Sequence, residues 1–202
     1  MTETIQTRLS LAVPFPERRV FLRLGGRLSR TELAPDEEAA LLQVALRAYE
    51  TCRPRGRWRV FPARSVGQGI LLADGRLLPG AEFAAKNPGI RAVWCAAVTA
   101  GAEIVAYRDA RKRTADAAVC DAVGSECADA ALELMQRQAA VELRPKSMLL
   151  SESRYSPGYG DMPLAVQRFF FAELKLEELG MTLTENCFIH PEKSVTAFAG
   201  VN

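Results

Sequence analysis

The chain holds a single histidine, His190, in 202 residues. One imidazole excludes a multi-histidine metal centre and leaves little from which to build a Ser–His or Cys–His nucleophile. Cysteine is sparse and odd in number: Cys52, Cys95, Cys120, Cys127 and Cys187 include no C-x-x-C pair. That count argues against a disulfide framework and for reduced thiols in the cytoplasm. No apolar run is long enough to span a bilayer, and Met1-Thr2-Glu3-Thr4 lacks the charged and apolar regions of a signal peptide. Charge is nearly balanced, 26 basic against 24 acidic residues for a net +2, so no global field draws the chain to nucleic acid or to a membrane. A dinucleotide fingerprint is missing too: neither Gly25-Gly26 nor Gly67-Gln68-Gly69 carries the G-x-G-x-x-G spacing.

What is present suits a globular protein with a real core, at 49% hydrophobic and 25% charged residues. Residues 1–18, with Pro14 and Pro16 around Phe15, read as an N-terminal arm, and residues 19–202 as one domain. Val20 to Leu24 is strand-like. Pro35, followed by Asp36, Glu37 and Glu38, opens a helix that runs out near Cys52-Arg53-Pro54. Trp58 to Phe61 alternates as a strand, and Asp74-Gly75 between Ile70–Ala73 and Arg76–Leu78 marks a hairpin. Ala81 to Lys86 forms a short helix before Asn87-Pro88-Gly89. Ala92 to Val98 is a continuous apolar run, a strand buried on both faces. A helical region spans about Ala102 to Ala140, with a break near Arg113-Thr114 and Thr114 as N-cap. A further helix from Leu164 to Leu179 stops at Gly180, and Thr182–Ile189 and Ser194–Ala199 form the last strands. Hairpins at both ends with helices between them give an α+β fold with a largely antiparallel sheet.

Four features carry possible chemistry. Arg53, Arg55, Arg57, Arg59 and Arg64 cluster, as do Arg108, Arg111, Lys112 and Arg113; both read as solvated faces, the second having no interleaved aromatics. Ser153-Arg154-Tyr155-Ser156-Pro157-Gly158-Tyr159-Gly160-Asp161-Met162-Pro163 is a polar, aromatic turn running into a helix N-terminus. Arg154 can grip a carboxylate and Tyr155 or Tyr159 can stack on a base or a sulfonium. The same residues also suit a rigid surface turn whose arginine caps a helix. Glu126, Asp129 and Glu133 share one helix face, either as a ligand wall or as a solvated stripe. Gly124 in that helix costs roughly 1 kcal/mol relative to alanine, which points to close packing there.

The order of these motifs resembles the activation domain of cobalamin-dependent methionine synthase. Arg154-Tyr155-Ser156-Pro157-Gly158-Tyr159 matches that family's R-x-x-P-G-Y loop. Leu179-Gly180-Met181-Thr182-Leu183-Thr184-Glu185 and Pro191-Glu192-Lys193-Ser194-Val195-Thr196 follow at the right distance. Asp121-Ala122-Val123-Gly124-Ser125 upstream is similar as well; the resemblance covers about Cys120 to Gly200.

The resemblance implies a helmet-shaped α+β domain around a bent antiparallel sheet. It implies binding of S-adenosylmethionine for the reductive methylation of cob(II)alamin, with an electron from flavodoxin or a similar donor. Carried over, Arg154 holds the methionine carboxylate, Ser156, Gly158 and Tyr159 frame the adenosine and sulfonium, and Asp129 holds the ammonium with Glu133 as fallback. No D-x-H-x-x-G corrinoid motif occurs in the sequence, so a partner, a cobalamin-binding methionine synthase or another corrinoid protein, is expected to supply cobalamin. The chain is then a stand-alone reactivation module with no metal ligands or acid–base residues of its own. Two departures stand out: no acidic counterpart of an adenosine contact lies among Met1 to Arg23, and the chain ends at Asn202, just after its last strand. They support a second reading, a docking protein for a corrinoid protein that has lost S-adenosylmethionine binding.

Overall fold

A strand made of Ala92-Val93-Trp94-Cys95-Ala96-Ala97-Val98-Thr99 has no residue that prefers water, so it needs cover on both faces and both edges. The computed structural model, which describes residues 4–25 and 34–202, supplies that cover. Along the chain run β1 (Gln6–Arg8), α1 (Glu17–Arg23), α2 (Pro35–Thr51), β2 (Arg55–Val66), β3 (Gly69–Leu72), β4 (Leu77–Pro79), α3 (Ala81–Lys86) and β5 (Ala92–Thr99). They are followed by α4 (Ala102–Asp109), α5 (Thr114–Leu143), α6 (Gln167–Leu174), β6 (Thr182–Leu183), β7 (Ile189–His190) and β8 (Ser194–Val201). All eight residues of β5 are buried.

The main sheet has the order β4-β3-β2-β5-β8, with β1 also on β2, and every pairing is antiparallel. β2 bends it: Arg55 to Pro62 pair with β5, while Ala63 to Val66 leave that partner and pair with β3. The result is a curled antiparallel sheet flanked by helices, the α+β architecture expected, with β6 and β7 forming a separate small ladder. One face packs Phe61, Val93, Cys95 and Phe198 against α3 and α6 through Phe83, Phe169, Phe170 and Leu174. The other packs Trp58, Val60, Trp94 and Ala197 against Ala131, Leu132, Met135 and Ala139 of α5. Each large side chain so buried contributes about 1.5–3 kcal/mol.

α5 is built to lie close. A Cβ on Gly124 would stand 2.9 Å from Lys193 Cγ and 3.1 Å from Ile104 Cγ1, so the glycine makes room for the Lys193 stem. Lys193 Nζ then reaches Asp121 at 2.7 Å and Ser125 Oγ at 3.0 Å. The break expected before this helix is present, but Thr114 is its first helical residue and Arg113 stands at the cap without a side-chain cap bond.

Other expectations change as well, among them the strand over Thr182–Ile189, of which only Thr182–Leu183 and Ile189–His190 are extended and pair with each other. Val20 to Leu24 is not a strand: Glu17 to Arg23 forms α1, because only Val20 is buried there and α5 offers an apolar and acidic groove rather than a sheet edge. Residues 6–13 of the N-terminal arm lie on the body, with Gln6 to Arg8 paired to β2 and Leu11 and Val13 buried. The helix expected over Leu164 to Leu179 is divided. A 3-10 turn at Leu164–Val166 precedes α6, Lys175 takes φ +50°, and a second 3-10 turn at Leu176–Leu179 closes on Gly180 at φ +74°.

The arginine cluster explains that division. Arg57 Nη1 donates to the carbonyls of Leu174 at 3.1 Å and Lys175 at 2.7 Å, and Arg55 Nε donates to Leu179 O at 2.9 Å. Carbonyls freed by the break thus meet cations, which also oppose the negative helix end. Arg57 and Arg59 complete ion pairs with Glu178 and Glu173, so these three side chains brace α6 instead of facing solvent. In the second cluster Arg108 pairs with Asp109, Asp121 and Glu192.

All five cysteines are free and buried. Among the described residues no helix is long and apolar enough to cross a membrane. Arg57→Ala strips two backbone carbonyls of their donor and is expected to destabilise the fold by about 2 kcal/mol. The measurement is the urea midpoint, shifted at unchanged slope.

Candidate functional site

The segment after α5 runs beside the free edge of β8. Leu149 and Asn202 exchange backbone hydrogen bonds, Ser151 N donates to Gly200 O, and Tyr155 and Phe198 exchange a pair at 2.9 and 2.7 Å. Pro157-Gly158 then turns the chain as expected, with Gly158 at φ +91° and its N–H donating to Met162 O at 2.9 Å. Asp161 fixes the far end: its carboxylate accepts from Ala81 N at 2.6 Å and Glu82 N at 3.2 Å, satisfying the open N–H groups of α3. Tyr155 is pinned as well. Its hydroxyl donates to Glu82 Oε2 at 2.8 Å and accepts from Lys86 Nζ at 3.1 Å, and its ring stands edge-on to Phe83.

The loop so held forms one wall of a cleft of about 630 Å³. Arg154 to Pro157, Tyr159 and Gly160 face Asp129 and Leu132 of α5, Gln167 of α6, Ile189 of β7 and Ser194 to Thr196 of β8. Arg154 Nη1 donates to Gln136 Oε1 at 2.7 Å, and buried Gln136 donates in turn to Ser151 O at 2.6 Å and Glu152 O at 3.3 Å. Both ends of that amide are engaged, so Gln136 orients one edge of the guanidinium. Exposed Tyr159 stands at the rim.

Asp129 lines the same cleft, half-buried. Burial pushes its carboxyl above the ordinary value of 3.8 and the Glu126 carboxylate adds to the rise, while Arg23, Arg154 and Arg19 oppose it. The face shared by Glu126, Asp129 and Glu133 is real, but it is not simply solvated: α1 lies on it. Arg23 holds Glu126 at 2.6 Å and reaches Asp129 at 3.3 Å, and Arg19 holds Glu133 at 2.8 Å.

The expected site residues therefore separate. Asp129, Arg154, Ser156 and Tyr159 meet around one cleft. Glu133 does not line it; one carboxylate oxygen is taken by Arg19 and the other by Arg137. Gly158 shapes the turn and is not part of the cleft wall. Sequence reasoning named neither Gln136 nor Gln167 and quoted Thr196 only within a motif, because the burial of a polar side chain against another element leaves no mark on a local pattern. His190 and exposed Phe188 line an adjoining depression of about 470 Å³. Among the described residues no group of three or more His, Cys, Asp and Glu is placed to hold a metal.

A cation and an anion facing one cleft, with apolar Leu132, Pro157, Ile189 and Val195 beside them, suit an amino-acid zwitterion attached to a larger body. The fold itself is of the reactivation-domain class. The chain superimposes on the crystal structure of the MetH reactivation domain bound to AdoHcy with a TM-score of 0.67, covering 98% of this chain and 78% of that one at 21% sequence identity. No protein-family model and no curated protein sequence matches the chain.

A carboxyl with a raised folded-state pKa lowers stability as pH rises from its ordinary value through the raised one. Asp129→Asn removes that penalty. The variant is expected to melt higher than the wild type near neutral pH, and the gain should vanish near pH 3, where the carboxyl is protonated folded or unfolded. Thermal scans across that range read it.

Proposed function

We infer that the cleft binds S-adenosylmethionine and that the chain acts as a reactivation module for a corrinoid protein. The observation that carries this is the pairing of Arg154 and Asp129 across one cleft, in a fold whose solved counterpart is described with AdoHcy bound. Arg154, steadied by Gln136, takes the methionine carboxylate. Asp129 takes the ammonium, and Tyr159 offers an aromatic face to the sulfonium. Bound S-adenosylmethionine supplies a methyl group on a good leaving group. The chain's own residues bind and orient it. Cobalamin would come from a cobalamin-binding methionine synthase or another corrinoid protein, and the electron from flavodoxin or a similar donor.

The ionised form of Asp129 is the one that binds an ammonium, so affinity should fall as pH drops through its raised pKa. Calorimetry with S-adenosylmethionine tests the reading. Heat of binding is expected for the wild type, and Arg154→Ala should weaken it by about 10–100-fold, the usual loss for a charged hydrogen-bonding partner. No heat for the wild type, with or without a cobalamin-loaded partner, refutes it.

One observation favours the second reading. Arg23 already reaches Asp129 at 3.3 Å and competes for its charge. A docking protein without ligand binding would capture a corrinoid protein equally well as wild type and as Arg154→Ala, and would give no heat with S-adenosylmethionine.

A further inference from the structure

Gln167 sits where the main cleft meets the adjoining depression, since both are bounded by Gln167, Ile189 and Ser194. Its side chain is buried, at 6% exposure, and is tied at one end only. Thr196, at 1% exposure, donates from Oγ1 to Gln167 Oε1 at 2.8 Å. A primary amide whose oxygen is engaged this way keeps two N–H donors. Among the described residues Gln167 Nε2 makes no hydrogen bond, and it is not one of the unpartnered polar atoms sealed in the interior, so it keeps contact with solvent where Gln167 borders the cleft and the adjoining depression.

A ligand that fills this part of the cleft takes that amide out of contact with solvent. Unless it brings an acceptor, a nearly buried donor is left unmatched, which is the costly case for a hydrogen bond. The site therefore selects for an acceptor at this point. Of the acceptors on S-adenosylmethionine, the carboxylate is claimed by Arg154. Those that remain lie on the ribose and the purine.

We propose that Gln167, oriented by Thr196, selects for the nucleoside half of the ligand, its Nε2 donating to a ribose oxygen or a purine ring nitrogen. Arg154 and Asp129 hold the amino-acid half. The inference rests on the S-adenosylmethionine reading above and adds to it a division of labour within the cleft. Buried Thr196 matters here because its hydroxyl holds one end of the amide in place.

Two probes separate the halves: S-adenosylmethionine, and S-methylmethionine, a sulfonium amino acid without a nucleoside. Gln167→Met keeps the volume and removes the donor. It should weaken S-adenosylmethionine by about tenfold and leave S-methylmethionine unchanged. Gln167→Glu keeps an acceptor for Thr196 but has no N–H, and should show the same selective loss. Thr196→Val should move affinity in the same direction by less. A purely structural role would weaken both probes alike and lower the melting temperature. Equal loss toward both probes, or unchanged S-adenosylmethionine affinity in Gln167→Met, overturns the inference and leaves the functional reading standing. A wild type that binds no S-adenosylmethionine removes both.

Discussion

Complete burial of β5 is the constraint from which the rest of the architecture follows. A strand with no exposed residue and a partner on each edge must be covered by side chains from two directions, and the chain provides two unlike covers. On one side the phenylalanines of α6 and Phe83 of α3 interlock with Phe198. On the other, small residues of α5 let a thirty-residue helix lie flat across the sheet. β8, the second partner of β5, has one edge left over, and the segment carrying Arg154 and Tyr155 runs along it. The cleft forms where α5, that segment and the start of α6 come together around β8.

Charge serves packing before it serves ligands. Arg55 and Arg57 act on backbone carbonyls at the divided end of α6, where a neutral side chain would leave acceptors bare. Arg19 and Arg23 moor α1 to the acidic face of α5. Arg154 is held differently: Gln136 takes one edge of its guanidinium, and the residue lines the cleft. A guanidinium steadied on one side has lost much of its rotational freedom before anything binds, which lowers the entropic cost of engaging a carboxylate.

How far the sequence could be read depends on whether a feature is local. The apolar run of β5, the Asp74-Gly75 hairpin, the Pro35 helix start and the Pro157-Gly158 turn follow from neighbouring residues, and each appears where its pattern places it. Gly124 was legible as a close approach, and the Lys193 stem is what approaches. Asp129 and Arg154 could be paired only through family likeness, since 25 residues separate them in the chain. The failures are long-range. Val20 to Leu24 carries strand-forming residues, yet contact with α5 makes it helical. The arginines of β2 look solvated until α6 arrives above them. Gln136 and Gln167 gain meaning only from a partner on another element.

The anchoring of the 154–161 loop has a kinetic meaning. Tyr155 is stitched to the sheet edge at one end and Asp161 to the start of α3 at the other, with Gly160 between them at φ +57°, close against the Glu82 carboxylate. A wall fastened at both ends does not need to fold around an incoming molecule. For a wall of this kind, any capture is governed by encounter frequency and orientation rather than by a closing motion. A rim fastened in this way leaves the mouth of the cleft open to the outside.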